Sequence, residues 1–258
     1  VSLPLPRRRD ILQCHYCGFE IQAPDECPSC GGHRVGSFGV GVERIETELN
    51  RMLPSVPIQR LDRDQIKNRR DLEKALTRFR AGESKILVGT QMVTKGHDFP
   101  GVTLVGVVSA DASLNFPDFR AAERTFQLLT QVAGRAGRAE KEGRVLVQTF
   151  ETDHYAITCA AKHDFESFIK QELVYREELF YPPFAYLCLL RFESEDEQKA
   201  MKLAQEQAEK LRIAARKMDV ELLILGPALA PLSRIKGIYR IQLPLKGATR
   251  NDIRKVLG

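Results

Sequence analysis

Long apolar segments are missing from the sequence. The chain has 258 residues, and none of its apolar runs approaches the length of about 20 residues that a transmembrane helix requires. The first residues, Val-Ser-Leu-Pro-Leu-Pro-Arg-Arg-Arg, also lack the apolar core of a secretory signal. We therefore expect no membrane partner and a cytoplasmic location.

A strong excess of one charge is missing as well. The chain has 39 basic and 34 acidic residues, which give a formal net charge of +5. This mild excess of positive charge is compatible with binding to nucleic acid. It is smaller than the excess that would indicate such binding without other evidence. Hydrophobic residues make up 43% and charged residues 28%, which is typical of a globular protein and excludes wholesale disorder.

Two features of a complete ATP-hydrolysing enzyme are also missing. The sequence contains no phosphate-binding loop of the pattern G-x4-G-K-[ST] and no acidic box that would hold magnesium. It also has no initiator methionine and opens on a Pro/Arg segment shortly before a cluster of cysteines. We therefore expect a piece of a longer protein, and we expect this piece alone to hydrolyse no ATP.

Four of the six cysteines fall within 17 residues, in the pattern C-x2-C-x9-C-x2-C. They are Cys14, Cys17, Cys27 and Cys30. Four thiolates at such spacings can close around one Zn2+ ion, and paired CxxC motifs in a long chain without a signal favour metal binding over disulfides. Cys159 and Cys188 stand alone in apolar stretches.

The spacing of apolar residues predicts three segments. Residues 1–37 form a partial zinc-binding knuckle. Residues 38–180 alternate short apolar runs with helical patterns, which predicts a parallel, doubly wound α/β sheet with trailing helices. In this second segment we predict strands at 56–61, 85–90, 102–108 and 143–150 and helices at 45–53, 71–79 and 119–132.

The break at Tyr181-Pro182-Pro183 predicts the start of a third segment, 181–258. Strands are predicted at 184–192, 221–225 and 238–243, and helices at 196–218 and 249–257, with a Gly/Pro-rich loop before the last strand. The order β-α-β-β-α indicates an α+β, ferredoxin-like domain without its last strand.

The strongest chemical signal lies at the end of the predicted helix 119–132. The motif Q-x2-G-R-x-G-R comprises Gln131, Gly134, Arg135, Gly137 and Arg138. The glycines allow a tight turn and close approach to a partner, and the arginines offer charged forks that suit phosphate oxygens. An arginine aimed at a γ-phosphate stabilises the charge that develops during phosphoryl transfer, so we predict a nucleotide-triphosphate sensor.

A second polar motif follows the predicted strand 85–90, at the kind of position where α/β folds bind ligands. Thr90 and Gln91 can reach a phosphodiester through their hydroxyl and amide groups, and Lys95 stands nearby in sequence. Gly96 and Asp98 are one turn further, where the carboxylate can meet a ribose or an arginine of the first motif. The alternative is a polar connection with a glycine turn.

A third segment, 111–124, follows the next predicted strand. It combines aromatic residues, a proline turn and alternating charges. Asp118 is a candidate N-cap for the following helix. Phe116 and Phe119 are candidates for stacking on bases, although burial in the core is favoured.

Basic residues cluster in two further places, and both clusters are candidates for phosphate contact, with an ordinary solvated face as the alternative. The clusters are Arg60, Arg63, Lys67, Arg69 and Arg70, and Arg234, Lys236, Arg240 and Lys246.

Taken together, T-x5-G-x-D (from Thr90) and Q-x2-G-R-x-G-R resemble motifs of the second RecA-like lobe of superfamily 2 helicases. The two CxxC pairs, the segment 86–100, Pro117-Asp-Phe-Arg, Tyr181-Pro-Pro-Phe and Gly226-Pro-Ala-Leu-Ala-Pro resemble the bacterial replication-restart helicases in particular. The resemblance covers essentially the whole chain.

The resemblance implies an ATP-dependent DNA helicase that moves 3′ to 5′ and assembles the primosome at stalled forks, in association with the nucleoid. Implied partners are forked and single-stranded DNA, single-strand-binding protein and other primosome proteins, and implied cofactors are Zn2+ and ATP with Mg2+. Arg135 and Arg138 would contact the ATP phosphates, with Gln131, Gly134 and Gly137 in the same catalytic motif. Gly96 and Asp98 would lie by the nucleotide, and Thr90, Gln91 and Lys95 would lie near DNA.

The resemblance also implies an incomplete metal centre. The family carries four CxxC pairs and two zinc ions with interleaved pairs, so Cys14 and Cys17 would share one ion with a missing pair, and Cys27 and Cys30 the other. The two half-sites could also close on each other. A non-catalytic adaptor that binds zinc, DNA or primosome partners is the alternative function, and it fits the isolated chain.

Overall fold

A computed structural model describes residues 11–13, 20–22, 26, 31, 41–62, 66, 68–90, 101–134 and 143–258. The chain divides into two compact units. One comprises Phe38–Leu114 and Arg120–Phe168, and we call it the lobe. The other comprises Val1–Ser37, Asn115–Phe119 and Ile169–Gly258, and we call it the C-terminal unit. The predicted boundaries at 37/38 and 180/181 stay predictions.

The first half of the lobe has two helices and a parallel pair of strands. Helix α1 (Val42–Met52) precedes strand β3 (Ile58–Leu61), and helix α2 (Arg69–Arg80) precedes strand β4 (Ile86–Gly89). Strands β3 and β4 pair in parallel from Ile58↔Ile86 to Leu61↔Gly89. Leu61, Ala75 and Leu76 form a small buried core there.

The second half of the lobe repeats this arrangement. Strand β5 (Leu104–Val107) and strand β6 (Arg144–Val147) pair in parallel. Three helices accompany them: α3 (Asp111–Leu114), α4 (Ala121–Ala133) and α5 (Tyr155–Ala161). Phe126 on α4 stacks on Phe168 at 4.2 Å between ring centroids, and both rings are buried. The parallel pairing confirms the predicted strand direction, whereas the union of both pairs in one doubly wound sheet stays a prediction.

The α6 helix (Phe165–Glu178) leads into an antiparallel sheet of the C-terminal unit. The central strand is β10 (Ile238–Gly247), which pairs with β7 (Tyr186–Ser194) on one side and with β8 (Leu222–Ile224) and β9 (Ala228–Ile235) on the other. Helices α7 (Glu197–Lys217) and α8 (Arg250–Leu257) cover one face, with alanines of α7 packed close to the sheet. Strands β1 (Ile11–Gln13) and β2 (Glu20–Gln22) form a separate antiparallel pair.

The predicted Gly/Pro-rich loop is wrong, because the segment Ala228–Ile235 is the strand β9. The order of elements in this unit is therefore β-α-β-β-β-α rather than β-α-β-β-α. Proline cannot donate a backbone hydrogen bond to a sheet, so Pro231 is unfavourable within a strand. The structure tolerates Pro231 because β9 pairs with β10 in two short stretches, and Pro231 lies between them.

The predicted cap of α4 is also wrong. Its N-cap residue is Arg120, and no side chain caps the helix there. Asp118 precedes the N-cap residue by two positions. In the described part of the chain, no helix combines the length and apolar character needed to cross a membrane.

Candidate functional site

The helix α4 presents the start of the Q-x2-G-R-x-G-R motif at its carboxyl end. The buried residues of this helix all lie on one face, which fixes its rotation: Ala121, Thr125, Phe126, Leu129 and Val132. Gln131 and Gly134 consequently lie exposed on the last turn. Gly134 ends the helix with its N–H donating to the carbonyl of Thr130 at 3.1 Å. The predicted motif thus begins on a rigid, solvent-facing helix end.

The remaining residues of this motif, Arg135, Gly137 and Arg138, lie outside the described residues. The structure therefore brings two of the five predicted motif residues together, Gln131 and Gly134. Their exposure is compatible with contact to a ligand or to another domain.

The second predicted motif begins at the end of β4. Thr90 is exposed and directly follows Gly89, the last residue of that strand. The carboxyl end of a parallel strand is where α/β folds place ligand-binding groups, as predicted. Gln91, Lys95, Gly96 and Asp98 lie outside the described residues.

The structure adds one polar residue to which the sequence assigned no role. Asp111 follows strand β5 and is only 6% exposed. Its Oδ1 accepts hydrogen bonds from Oγ1 of Thr149 and from the backbone N–H of Phe150, both at 2.9 Å. Burial raises the pKa of this carboxyl, but the hydrogen bonds from Phe150 and Thr149 outweigh it, and the pKa lies below its ordinary value. An acidic residue three positions after the predicted strand 102–108 was the signal that could have identified it.

The Phe119 ring is occupied within the protein. It stacks on Tyr181 with ring centroids 5.0 Å apart and planes 8° apart. Arg176 lies over its ring with Cζ 5.2 Å from the centroid. These contacts of Phe119 support the favoured prediction that it packs within the protein rather than on bases. Phe116, the other candidate, is 45% exposed.

The two basic clusters contribute less free positive charge than the sequence suggested. In the first cluster, Arg60 pairs with Glu46 and Asp62, and Arg69 pairs with Glu73. In the second, Arg240 pairs with Glu193, and Lys246 is buried with its ammonium donating to the carbonyl of Leu179. Of the other members of the two clusters, Arg63 and Lys67 lie outside the described residues, whereas Arg70, Arg234 and Lys236 lie within them.

The four clustered cysteines, Cys14, Cys17, Cys27 and Cys30, also lie outside the described residues. Within the part that the structure describes, no group of three or more His, Cys, Asp or Glu side chains is arranged to hold a metal ion. Both described cysteines, Cys159 and Cys188, are free thiols, and burial raises the pKa of Cys188.

Two protein-family models match the chain. Residues 31–140 match the model described as the helicase conserved C-terminal domain, which contains both sequence motifs. Residues 177–257 match the model described as the primosomal protein N C-terminal domain, which contains the antiparallel sheet.

Curated proteins match over nearly the whole chain. The replication restart protein PriA of Bacillus subtilis is 45% identical over 95% of this chain and 30% of its own length. The PriA proteins of Treponema pallidum and Haemophilus influenzae are 40% and 38% identical, over 99% and 97% of this chain and 38% and 34% of their own lengths. The chain thus spans about a third of the length of these curated relatives.

Proposed function

From the membership of this chain in the PriA family of replication restart proteins, we propose that it supplies the second RecA-like lobe and the C-terminal domain of an ATP-dependent 3′–5′ DNA helicase. This helicase restarts stalled replication forks and assembles the primosome. ATP with Mg2+ would bind against a first lobe that carries the phosphate-binding loop. The chain alone contains no such loop and is proposed to be inactive as an ATPase.

The observation that carries the proposal is the exposed carboxyl end of α4. Its packed face fixes the helix, and its last turn points Gln131 and Gly134 toward solvent. Arg135 and Arg138 follow within four residues. An arginine held in a fixed position stabilises the transition state of phosphoryl transfer, because negative charge develops on the transferred phosphate. A rigid helix can hold the arginine in that position.

The remaining nucleotide and DNA roles follow from sequence position. Gly137 would let the backbone turn between the two arginines, and Gly96 and Asp98 would lie by the nucleotide. Thr90, Gln91 and Lys95 would meet the DNA backbone. The exposure of Thr90 at the end of β4 supports its place in this set.

The proposed partners are forked and single-stranded DNA, single-strand-binding protein and the other primosome proteins, and the proposed location is the bacterial cytoplasm at the nucleoid. The C-terminal unit supports a ferredoxin-like arrangement through its antiparallel sheet covered by two helices. Its additional strand, β9, departs from the simple ferredoxin-like order.

Zinc is proposed as a structural cofactor. Cys14, Cys17, Cys27 and Cys30 provide four thiolates, the donor set that tetrahedral Zn2+ prefers. Elemental analysis of the purified chain measures the content. About one zinc per chain supports closure of the four cysteines around one ion. A content near zero shows that each CxxC pair requires cysteines from outside this sequence.

The helicase proposal is tested by complementation. A first RecA-like lobe with a phosphate-binding loop, taken from the Bacillus subtilis relative, is mixed with the chain, and ATP hydrolysis is measured with and without forked DNA. We expect neither part alone to hydrolyse ATP at a significant rate and the mixture to do so. Arg138→Ala should abolish the stimulation, whereas substitution of the exposed Arg216 on α7, which belongs to neither basic cluster, should leave it intact.

The alternative function predicts a different result. A non-catalytic adaptor would bind DNA or primosome proteins without any stimulation of hydrolysis, at every concentration of the two parts. Stimulation that survives Arg138→Ala would also contradict the assigned role of the motif.

A further inference from the structure

Strands β9 and β10 of the C-terminal unit form a hairpin with a tight turn. The register pairs Ile235 with Ile238, so the loop between the strands has two residues, Lys236 and Gly237. Their φ values are +50° and +87°, the left-handed conformation of the turns that join two antiparallel strands directly. Gly237 adopts this conformation without a side-chain clash. The hairpin therefore has a compact tip with a defined backbone.

The tip of the hairpin extends beyond the neighbouring strand. Strand β7 ends at Ser194, which lies opposite Tyr239 of β10. Residues 235–238 therefore continue past the end of β7. All residues from 234 to 237 are exposed to solvent. A large partner can consequently reach the tip without a rearrangement of the sheet.

The guanidinium of Arg234 is held in one orientation on this hairpin. Arg234 lies opposite Tyr239 in the register, and its Cζ is 4.6 Å from the centroid of the Tyr239 ring. Its Nε donates to the carbonyl of Gly237 at 3.3 Å. These two contacts fix the plane of the guanidinium and use its Nε, so the two Nη groups are the donors that it can offer to a partner.

The charge of the hairpin is positive throughout. Residues 228–247, which comprise both strands and the turn, contain four basic residues and no acidic residue. Within the part of the chain that the structure describes, no carboxylate pairs with Arg234 or Lys236. At the base of the hairpin, Glu193 of β7 pairs with both Arg191 and Arg240, at 3.5 Å and 3.1 Å, so two cations share one carboxylate. The positive charge at the tip is therefore available to an anionic partner.

This combination of shape and charge suits the backbone of duplex DNA. A guanidinium with two available Nη groups can bind phosphate oxygens in a bidentate manner, and a lysine beside it adds a point charge. The major groove of B-DNA is wide enough to admit a ribbon of two β-strands, with phosphates on both sides of it. A narrow basic hairpin that extends past its sheet fits this groove.

We propose that the tip of the β9–β10 hairpin binds duplex DNA: Arg234 and Lys236 contact backbone phosphates, and Tyr239 is a positioning residue that orients the Arg234 guanidinium. The inference rests on the DNA helicase function proposed above, and it assigns a surface of the C-terminal unit to the DNA. Phosphate contacts carry no information about base sequence, so this binding is independent of the sequence of the duplex.

The experiment measures DNA binding by the complete chain with fluorescence anisotropy, in the absence of ATP and of a first lobe. The probes are a labelled DNA duplex and a labelled single strand of the same sequence, each titrated at several salt concentrations. The test variant combines Arg234→Gln and Lys236→Gln. The matched control combines Lys202→Gln and Lys210→Gln on α7, which removes two exposed positive charges elsewhere in the same unit. Circular dichroism verifies that the variants fold.

We expect the test variant to bind the duplex about tenfold more weakly than the unsubstituted chain, and the control to stay within about twofold. The slope of log affinity against log salt should fall by about 1.8 in the test variant, because each lost phosphate contact removes about 0.9. An unchanged slope would overturn the proposal. Equal weakening in the control would overturn it as well, because net charge alone would then explain the binding, and so would a loss confined to the single strand.

Two further variants test the role of Tyr239. Tyr239→Leu removes the aromatic face beneath Arg234 and should weaken duplex binding about threefold, whereas Tyr239→Phe retains the ring and should bind like the unsubstituted chain. Equal effects of the two variants would contradict the positioning role.

The binding measurement is independent of the function on which the inference rests, because it requires no ATP hydrolysis. If the mixture with the first lobe hydrolyses no ATP while the test variant still weakens duplex binding, the helicase function is wrong and the hairpin contact stands. If the mixture hydrolyses ATP while the test variant binds the duplex as the unsubstituted chain does, only the hairpin contact is wrong.

Discussion

The carboxylate of Asp111 accepts a hydrogen bond from Oγ1 of Thr149 at 2.9 Å, across 38 positions of the sequence. The two residues follow the parallel strands β5 and β6, so this contact ties together the segments that leave the sheet at its carboxyl edge. The N–H of Phe150 donates to the same oxygen. A single buried carboxylate therefore joins the segment that follows β5 to the segment that follows β6.

Replacement of Asp111 by alanine should destabilise the lobe. The substitution leaves the Thr149 hydroxyl and the Phe150 N–H without their acceptor, and the free energy of unfolding should fall by about 2 kcal/mol. Chemical denaturation followed by circular dichroism measures the change, since the chain has no tryptophan for fluorescence. Asp153→Ala, at an exposed carboxylate nearby in sequence, should change the value by less than about 0.5 kcal/mol.

The contribution of Asp111 should also depend on pH. Its pKa in the folded chain lies below the ordinary value, so the folded state favours the ionised form. The stabilisation is present above the unfolded pKa of about 3.9 and is lost as the pH falls through the lower folded value. The difference in unfolding free energy between the unsubstituted chain and Asp111→Asn should therefore shrink in acid. A difference that grows below pH 4 would contradict this.

The ion pair of Glu172 and Arg176 yields a second prediction. The Glu172 side chain is 3% exposed and the Arg176 side chain 14%. Because Glu172→Ala leaves a buried guanidinium without its carboxylate, unfolding should become easier by about 3 kcal/mol. The matched control is Glu73→Ala in the exposed pair with Arg69, which has the same i,i+4 spacing and should cost less than about 0.5 kcal/mol.

A double substitution tests the cause. Glu172→Leu combined with Arg176→Met replaces the buried pair by apolar groups and should recover part of the stability that either single change loses. Additive losses in the double variant would show that packing, rather than the uncompensated charge, explains the effect of Glu172.

The rings of Phe126 and Phe168 stack on each other in the core of the lobe. Phe168 is 1% exposed, so Phe168→Ala should create a cavity and cost about 4 kcal/mol of unfolding free energy. Phe150 is 81% exposed, and Phe150→Ala should have little effect on the same denaturation curve. Similar losses for the two variants would contradict the assigned core.

The sequence predicted elements whose signals are local. The apolar spacing of 71–79 predicted a helix, and the structure has α2 at Arg69–Arg80, followed by Gly82 at a φ of +77°. The apolar run 85–90 likewise predicted β4. In both cases the period and the end signal lie within a dozen residues.

Features that depend on distant partners were missed. Strand β9 contains Pro231 and is a strand only because β10 lies beside it. The stack of Phe119 on Tyr181 joins residues with no shared period or motif. Lys246 was grouped with candidates for phosphate contact, with a solvated face as the alternative, because its charge is visible in the sequence. Its burial depends on residues around Leu179 and Tyr181.

That burial makes Lys246 the basis of the last prediction. Burial lowers the pKa of its ammonium from 10.5 to about 8, although the Leu179 carbonyl and the Tyr181 ring favour the charged form. Between these pH values the unfolded chain binds more protons at this site than the folded chain does, so stability attributable to Lys246 should rise with pH. The increase should be on the order of 3 kcal/mol, since each pH unit contributes about 1.4 kcal/mol.

The measurement takes the difference in unfolding free energy between the unsubstituted chain and Lys246→Met at several pH values from 7 to 10.5, so that other titrating groups cancel. The difference should be constant below pH 8 and should then move in favour of the unsubstituted chain. A shift in favour of Lys246→Met above pH 10 would mean that the ring and the carbonyl dominate over desolvation. In that case the lysine would be a net source of stability at neutral pH, because its contacts would more than offset the cost of its burial.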